Sequence, residues 1–278
     1  MSETKRITLY GAIDSPFPHR VRLALEEAGA TYDIIWISLI YDKPEWYEQK
    51  VNVGVGKVPY LVYGGPKLNP GDAPSPETVQ VSESLVINEF LADIFPDAHL
   101  LPTDPALRAK ARLFAQYVDA KFLPAFAGFV FGLGTPVEGL LAAIEGLQRM
   151  LPAEGFAVGE WSIADAAAMP LLMRLNQVLE LKPSMIKRDA AAQVVEALAS
   201  PRFARIHKYT ADNVARPSMA KTWDRVRLVY SCGELHDAQR RSALVQAAID
   251  AETTKRIERL MKTGKLNSDL TIPVPVQP

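Results

Sequence analysis

The run Ser15-Pro16-Phe17-Pro18-His19-Arg20-Val21-Arg22 follows a short apolar stretch, Ile7-Thr8-Leu9-Tyr10, and opens an amphipathic helix that reaches Gly29. Val21, Ala24, Leu25 and Ala28 recur at i, i+3, i+4 and i+7, the spacing of one buried helical stripe. Pro16 suits a first helical position, where no backbone N–H is needed, and Gly29 supplies a C-terminal stop. The chain therefore presents a small polar side chain at a strand-to-helix turn, beside the positive end of a helix. An anion, a thiolate included, is stabilised in such a place.

Three further segments extend this pattern. Lys43-Pro44-Glu45-Trp46 follows a strand-like run at 32–37, Val58-Pro59-Tyr60-Leu61 opens another at 59–63, and Glu83-Ser84 ends a fourth at 79–82. Together with Ser15-Pro16-Phe17 and Arg20, in this order over the first hundred residues, they resemble the glutathione transferases, specifically the omega-like group, with serine where cysteine is usual. The resemblance implies an α/β plus all-α protein. A thioredoxin-like N-terminal domain at 1–97 is followed by an all-helical glutathione-transferase C-terminal domain at 106–265, and 266–278 forms a proline-rich loose tail. The residues alone give a mixed α/β unit with helices at 17–28, 44–51 and 83–94, and then a helical region.

At 278 residues there is room for two domains of ordinary size. A content of 48% hydrophobic and 23% charged residues is that of a globular protein. A formal net charge of -1 gives no electrostatic case for nucleic acid or membrane surfaces. Cys232, the single cysteine, excludes an intrachain disulfide, and the four histidines lack metal-ligand spacing. The polar start without an apolar run and the lone cysteine lead to the expectation of a metal-free, cytoplasmic protein.

Residues 64–80 carry seven Gly or Pro among 17 positions, making a long connection between two strands. Two readings stand: a solvated surface insertion, or a flap that shapes a ligand surface or a dimer edge. Beyond a linker at 95–105, Leu107, Ala111, Phe114, Val118 and Phe122 mark one face of a long helix interrupted near Pro124. Ser162-Ile163-Ala164-Asp165 reads as a capping box with Asp in place of Glu. Helices are expected at 184–199, 217–231 and 234–262.

The resemblance assigns roles residue by residue. Glutathione enters as co-substrate, with Ser15 as the catalytic hydroxyl holding its sulfur as thiolate and Phe17 packing nearby. Lys43 meets the glycyl carboxylate, and Val58, with a cis Pro59 after it, pairs with the cysteinyl backbone. Glu83 takes the γ-glutamyl ammonium and Ser84 the γ-glutamyl carboxylate. Serine cannot form a mixed disulfide, which leaves conjugation to electrophiles, peroxide reduction or plain binding. Six aromatics crowd 114–131; Phe114 and Phe122 read as core, and Tyr117, Phe126 and Phe129 as walls of a hydrophobic-ligand pocket. Three functions are weighed: a homodimeric transferase, a non-catalytic ligandin for aromatic or polyphenolic compounds, and a scaffold or translation factor that borrows the fold. The last is disfavoured because Lys43, Glu83 and Ser84 are all present.

Overall fold

The computed structural model describes residues 5–38, 43–181 and 188–223. These separate into two compact units, one up to Ala98 and one from His99 to Trp223. In the first, β1 (Ile7–Gly11), α1 (Pro16–Glu27), β2 (Asp33–Trp36), β3 (Tyr60–Tyr63), β4 (Val79–Ser82) and α2 (Ser84–Ile94) follow one another. The sheet order is β2-β1-β3-β4. β2 runs parallel to β1, while β3 and β4 run antiparallel to their neighbours. This is the thioredoxin-like arrangement the resemblance implies.

Each end of α1 is closed by its own sequence. Ser15 sits at the N-cap with extended backbone, and Pro16 takes the first helical position. At the other end Gly29, at φ 60°, lets its own N–H reach the Glu26 carbonyl and the Ala30 N–H reach the Leu25 carbonyl, a Schellman closure. Leu9 and Gly11 share a face of β1, and a Cβ on Gly11 would lie 3.1 Å from Pro18 of α1. The missing side chain lets the helix settle on the central strand. The opposite face carries Tyr10 and Val62, buried with Ile35, Ile37, Tyr47, Val51 and Val58.

The insertion at 64–80 joins that second face. Leu68 is buried in the same cluster as Tyr10 and Tyr47. Behind it, Asn69 folds into a turn whose backbone N–H donates to Asp72 at 2.8 Å. Burial, reinforced by the Asp72 charge, pushes the Tyr10 hydroxyl up to about 12. The insertion is thus pinned to the sheet by one leucine, and the purely solvated reading does not hold for its first turn.

The second unit is helical throughout: α3 (Pro105–Tyr117), α4 (Leu123–Val130), α5 (Val137–Met150), α6 (Ile163–Leu181), α7 (Arg188–Leu198), α8 (Ala204–Val214) and α9 (Pro217–Thr222). α3 does not break before Pro124. Over Val118–Phe122 the ladder widens, and the Leu123 N–H bonds to the Val118 carbonyl five residues back. The looser turn accommodates a proline that would otherwise strike a helical carbonyl. Tyr117 donates to the Ala143 carbonyl at 3.1 Å, and a Cβ at Gly146 would run into its hydroxyl, so that glycine allows α3 to approach α5. α6 is buried along almost its whole length. At its start the expected box is present: the Ala164 N–H donates to Ser162 Oγ at 3.3 Å and the Ser162 N–H to Asp165 at 2.8 Å. Asp165 also accepts from the Ala157 N–H at 2.9 Å, tying in the preceding turn. α5 and α8 have no counterpart in the sequence reading, while α7 lies inside the expected 184–199. The helix expected at 217–231 is described only as far as Trp223; that at 234–262, the 266–278 tail and Cys232 lie outside the described residues.

Two stability predictions follow from this packing. Leu68→Ala should cost about 2 kcal/mol or more in urea unfolding, the range of a buried leucine truncation, where a solvated loop residue would change little. Asp165 is fully buried, and burial raises its carboxyl from 3.8 to about 6 against the pull of its N–H donors. The folded state therefore binds the extra proton between about pH 4 and 6, and stability falls as pH rises through that window. About 3 kcal/mol is at stake at about 1.36 kcal/mol per unit, and Asp165→Asn should remove that slope from a pH series of thermal melts.

Candidate functional site

Strand direction brings the sequence-predicted site residues to one end of the sheet. Gly11 and Trp36 end the parallel strands β1 and β2 there. In the antiparallel registers Tyr10 faces Tyr60 and Tyr60 faces Ser82, so β3 begins and β4 ends at that same edge. The three connections at this edge carry Ser15 after β1, Lys43 and Val58-Pro59 between β2 and β3, and Glu83-Ser84 after β4. Ligands of open α/β sheets collect where strands deliver their connections in this way.

Ser15 is 1% exposed. Its Oγ accepts from the Phe17 N–H at 3.4 Å, a long cap bond. Accepting uses a lone pair and not the hydroxyl proton, so capping and donation to an anion are compatible. Phe17 is buried beneath the Arg20 guanidinium, which lies 5.2 Å from the ring centroid. Val58-Pro59 is cis. The Lys57 carbonyl just before it accepts from the Tyr47 hydroxyl at 2.6 Å and from Asn52 Nδ2 at 2.9 Å, which fixes the approach to Val58.

Glu83 has φ 66° and ψ 113°, one of two non-glycine residues at positive φ among those described. Such backbone costs on the order of 1–3 kcal/mol and gathers at functional positions. The exposed Glu83 side chain makes no capping bond to α2, whose first turn carries no acidic residue. Ser84 follows at the first helical position, 6% exposed, and its Oγ accepts from Arg20 at 3.3 Å. Lys43 pairs with Glu48 at 3.1 Å. Both side chains lie over Gly56, at φ 62°, where a Cβ would strike the lysine amine. The amine is therefore held at the same sheet end as a half-buried cation.

Comparison with known proteins identifies the family. The family pattern described as "Glutathione S-transferase, N-terminal domain" matches residues 14–94, which span the Ser15 turn through α2. Among solved structures, glutathione transferase Omega 1C from Trametes versicolor is 42% identical, with a TM-score of 0.76, over 81% of this chain and 93% of that one. The chain belongs to the glutathione transferase family. Omega 2S from the same fungus, solved in complex with 2,4-dihydroxybenzophenone, is 44% identical with a TM-score of 0.73, covering 78% of this chain and 93% of that one. A curated plant relative, "Glutathione S-transferase U8" of Arabidopsis thaliana, is 33% identical over 44% of this chain, and the match spans about half (49%) of its length. Both of these Trametes structures are omega transferases, and no helix among the described residues is long and apolar enough to cross a membrane.

The aromatic trio lies in the helical unit. Phe126 and Phe129 are 4% and 5% exposed, and Phe126 packs on Phe122 with ring centroids 6.3 Å apart. Tyr117 is half-buried with its hydroxyl engaged. The sequence reading gave Arg20 no role, although it lies in the motif that opened the argument. Its complete burial depends on packing that a one-helix pattern does not encode.

Glu83→Gln tests the acidic end by charge alone. Glutathione affinity measured by calorimetry should fall about tenfold or more, as for a lost hydrogen-bonded charge. The melting temperature should stay put, because the side chain caps nothing.

Proposed function

We propose that this chain is a serine-type glutathione transferase that holds the glutathione sulfur as a thiolate at Ser15 for conjugation to electrophiles or reduction of peroxides. The observation that carries the reading is the buried Ser15 hydroxyl at the N-cap of α1, at the sheet end shared with Lys43, Val58 and Ser84. A free thiol near pKa 8.5 is a few per cent ionised at neutral pH. Lowering it by about two units needs roughly 2.7 kcal/mol. A hydroxyl donating to a charged acceptor supplies about 1.5–3 kcal/mol and a helix start about 0.3–1. One serine and one helix end are enough, without a general base. In the bound state Lys43 turns its amine from Glu48 toward the glycyl carboxylate, Val58 pairs with the cysteinyl backbone, and Glu83 and Ser84 receive the γ-glutamyl end. We place the protein in the cytoplasm as a homodimer, the assembly implied by its resemblance to the family.

A second reading, a ligandin for aromatic compounds, is favoured by the benzophenone complex of the Trametes relative. In that reading Tyr117, half-buried, offers a ring face, whereas Phe126 and Phe129 support the pocket from within the helical packing.

Ser15→Ala should raise the bound thiol's pKa by about one to two units, read as loss of thiolate ultraviolet absorbance at neutral pH. An unchanged titration removes Ser15 from the mechanism. Ser15→Cys should gain thioltransferase activity on glutathione mixed disulfides, its thiolate taking the glutathionyl sulfur and releasing the other thiol. Continued inactivity would show that the turn does not expose that position to a disulfide.

A further inference from the structure

Arg20 is fully buried, with side-chain contacts to two of the predicted site positions. Its guanidinium stacks over Phe17, and an N–H donates to Ser84 Oγ at 3.3 Å across from α1 to α2. In return Asn88, one turn along α2, donates to the Arg20 backbone carbonyl at 3.4 Å. A buried guanidinium is costly unless its donors are used, so sequence and packing have reason to exclude it unless it serves a purpose.

We propose that Arg20 is a positioning residue that acts through Ser84 to set the enzyme's preference for a γ-glutamyl carboxylate. Arginine has five donors and no acceptor, so the Ser84 oxygen is the acceptor in this pair. A hydroxyl that accepts from a cation directs its own proton elsewhere, and the donated bond polarises that proton toward a stronger donation. With one lone pair taken by a cation, Ser84 is biased toward donating, the role a carboxylate requires, while the nearby guanidinium disfavours a second cation such as an amine. Because the same guanidinium covers Phe17, two residues from Ser15, one side chain links the γ-glutamyl end to the turn that meets the sulfur. The inference rests on the glutathione reading and adds to it the residue that orients Ser84.

The test compares two probes by calorimetry: glutathione, and cysteinylglycine, which has the thiol and glycyl end but no γ-glutamyl group. Wild-type protein should prefer glutathione, and Ser84→Ala should lose on the order of tenfold or more of that preference with cysteinylglycine binding unchanged. Arg20→Gln should show the same selective loss, Arg20→Lys part of it, and neither should weaken binding further in the Ser84→Ala background. A purely structural arginine would instead weaken both probes equally and leave the ratio intact, which overturns the proposal. If Arg20→Gln does not fold, Ser84→Ala decides: a preference that survives loss of the hydroxyl overturns the relay. Wild-type protein that binds neither probe would overturn the glutathione reading itself. A ratio unchanged in the Arg20 variants but lost in Ser84→Ala removes only Arg20.

Discussion

A helix that begins inside a protein must find acceptors for its first amides, and at the start of α1 the hydroxyl of Ser15 accepts from the Phe17 N–H. That need places an oxygen at the positive end of a helix dipole and at the edge of a sheet. Much of the first unit serves to hold this turn still. Gly11 has no side chain, so Pro18 can rest on β1; Gly29 ends the helix; Arg20 reaches α2.

Cost and use are distributed unevenly around the sheet end. The backbone of Glu83 is strained although its side chain takes no part in capping the helix it starts. The strain is held between the β3-paired strand β4 and the helix α2, and it places two consecutive side chains, one exposed and one buried, where the chain turns. Lys43 contrasts with this: a flexible cation balanced by Glu48 and seated over a glycine, able to exchange one carboxylate for another at little cost.

Much of the first unit could be read from residues alone. The strands and the α1 caps, and in the second unit the Ser162–Asp165 box, follow local rules that act over four or five residues, and the structure shows each within a residue or two. What escaped the reading depends on distance in sequence. Leu68 looked like one apolar residue among glycines and prolines, and only the tyrosine face of the sheet makes it an anchor. Arg20 is not among the stripe residues Val21, Ala24, Leu25 and Ala28, yet it is buried against Ser84 of α2, over sixty residues on. α8 carries too few apolar residues to show a stripe; Ile206 and Tyr209 are its buried contacts, with Asn213 beside them.

The widened turn at Val118–Phe122 changes how the helices after it must be counted. One additional residue in a turn advances every following side chain by about 100° around the axis. Positions from Leu123 onward are therefore out of phase with the stripe that runs from Leu107 through Phe114. Phe126 and Phe129 owe their inward direction to this step as much as to their own spacing. A shortening by one residue here would rotate the whole of α4 and present a different set of side chains to its neighbours.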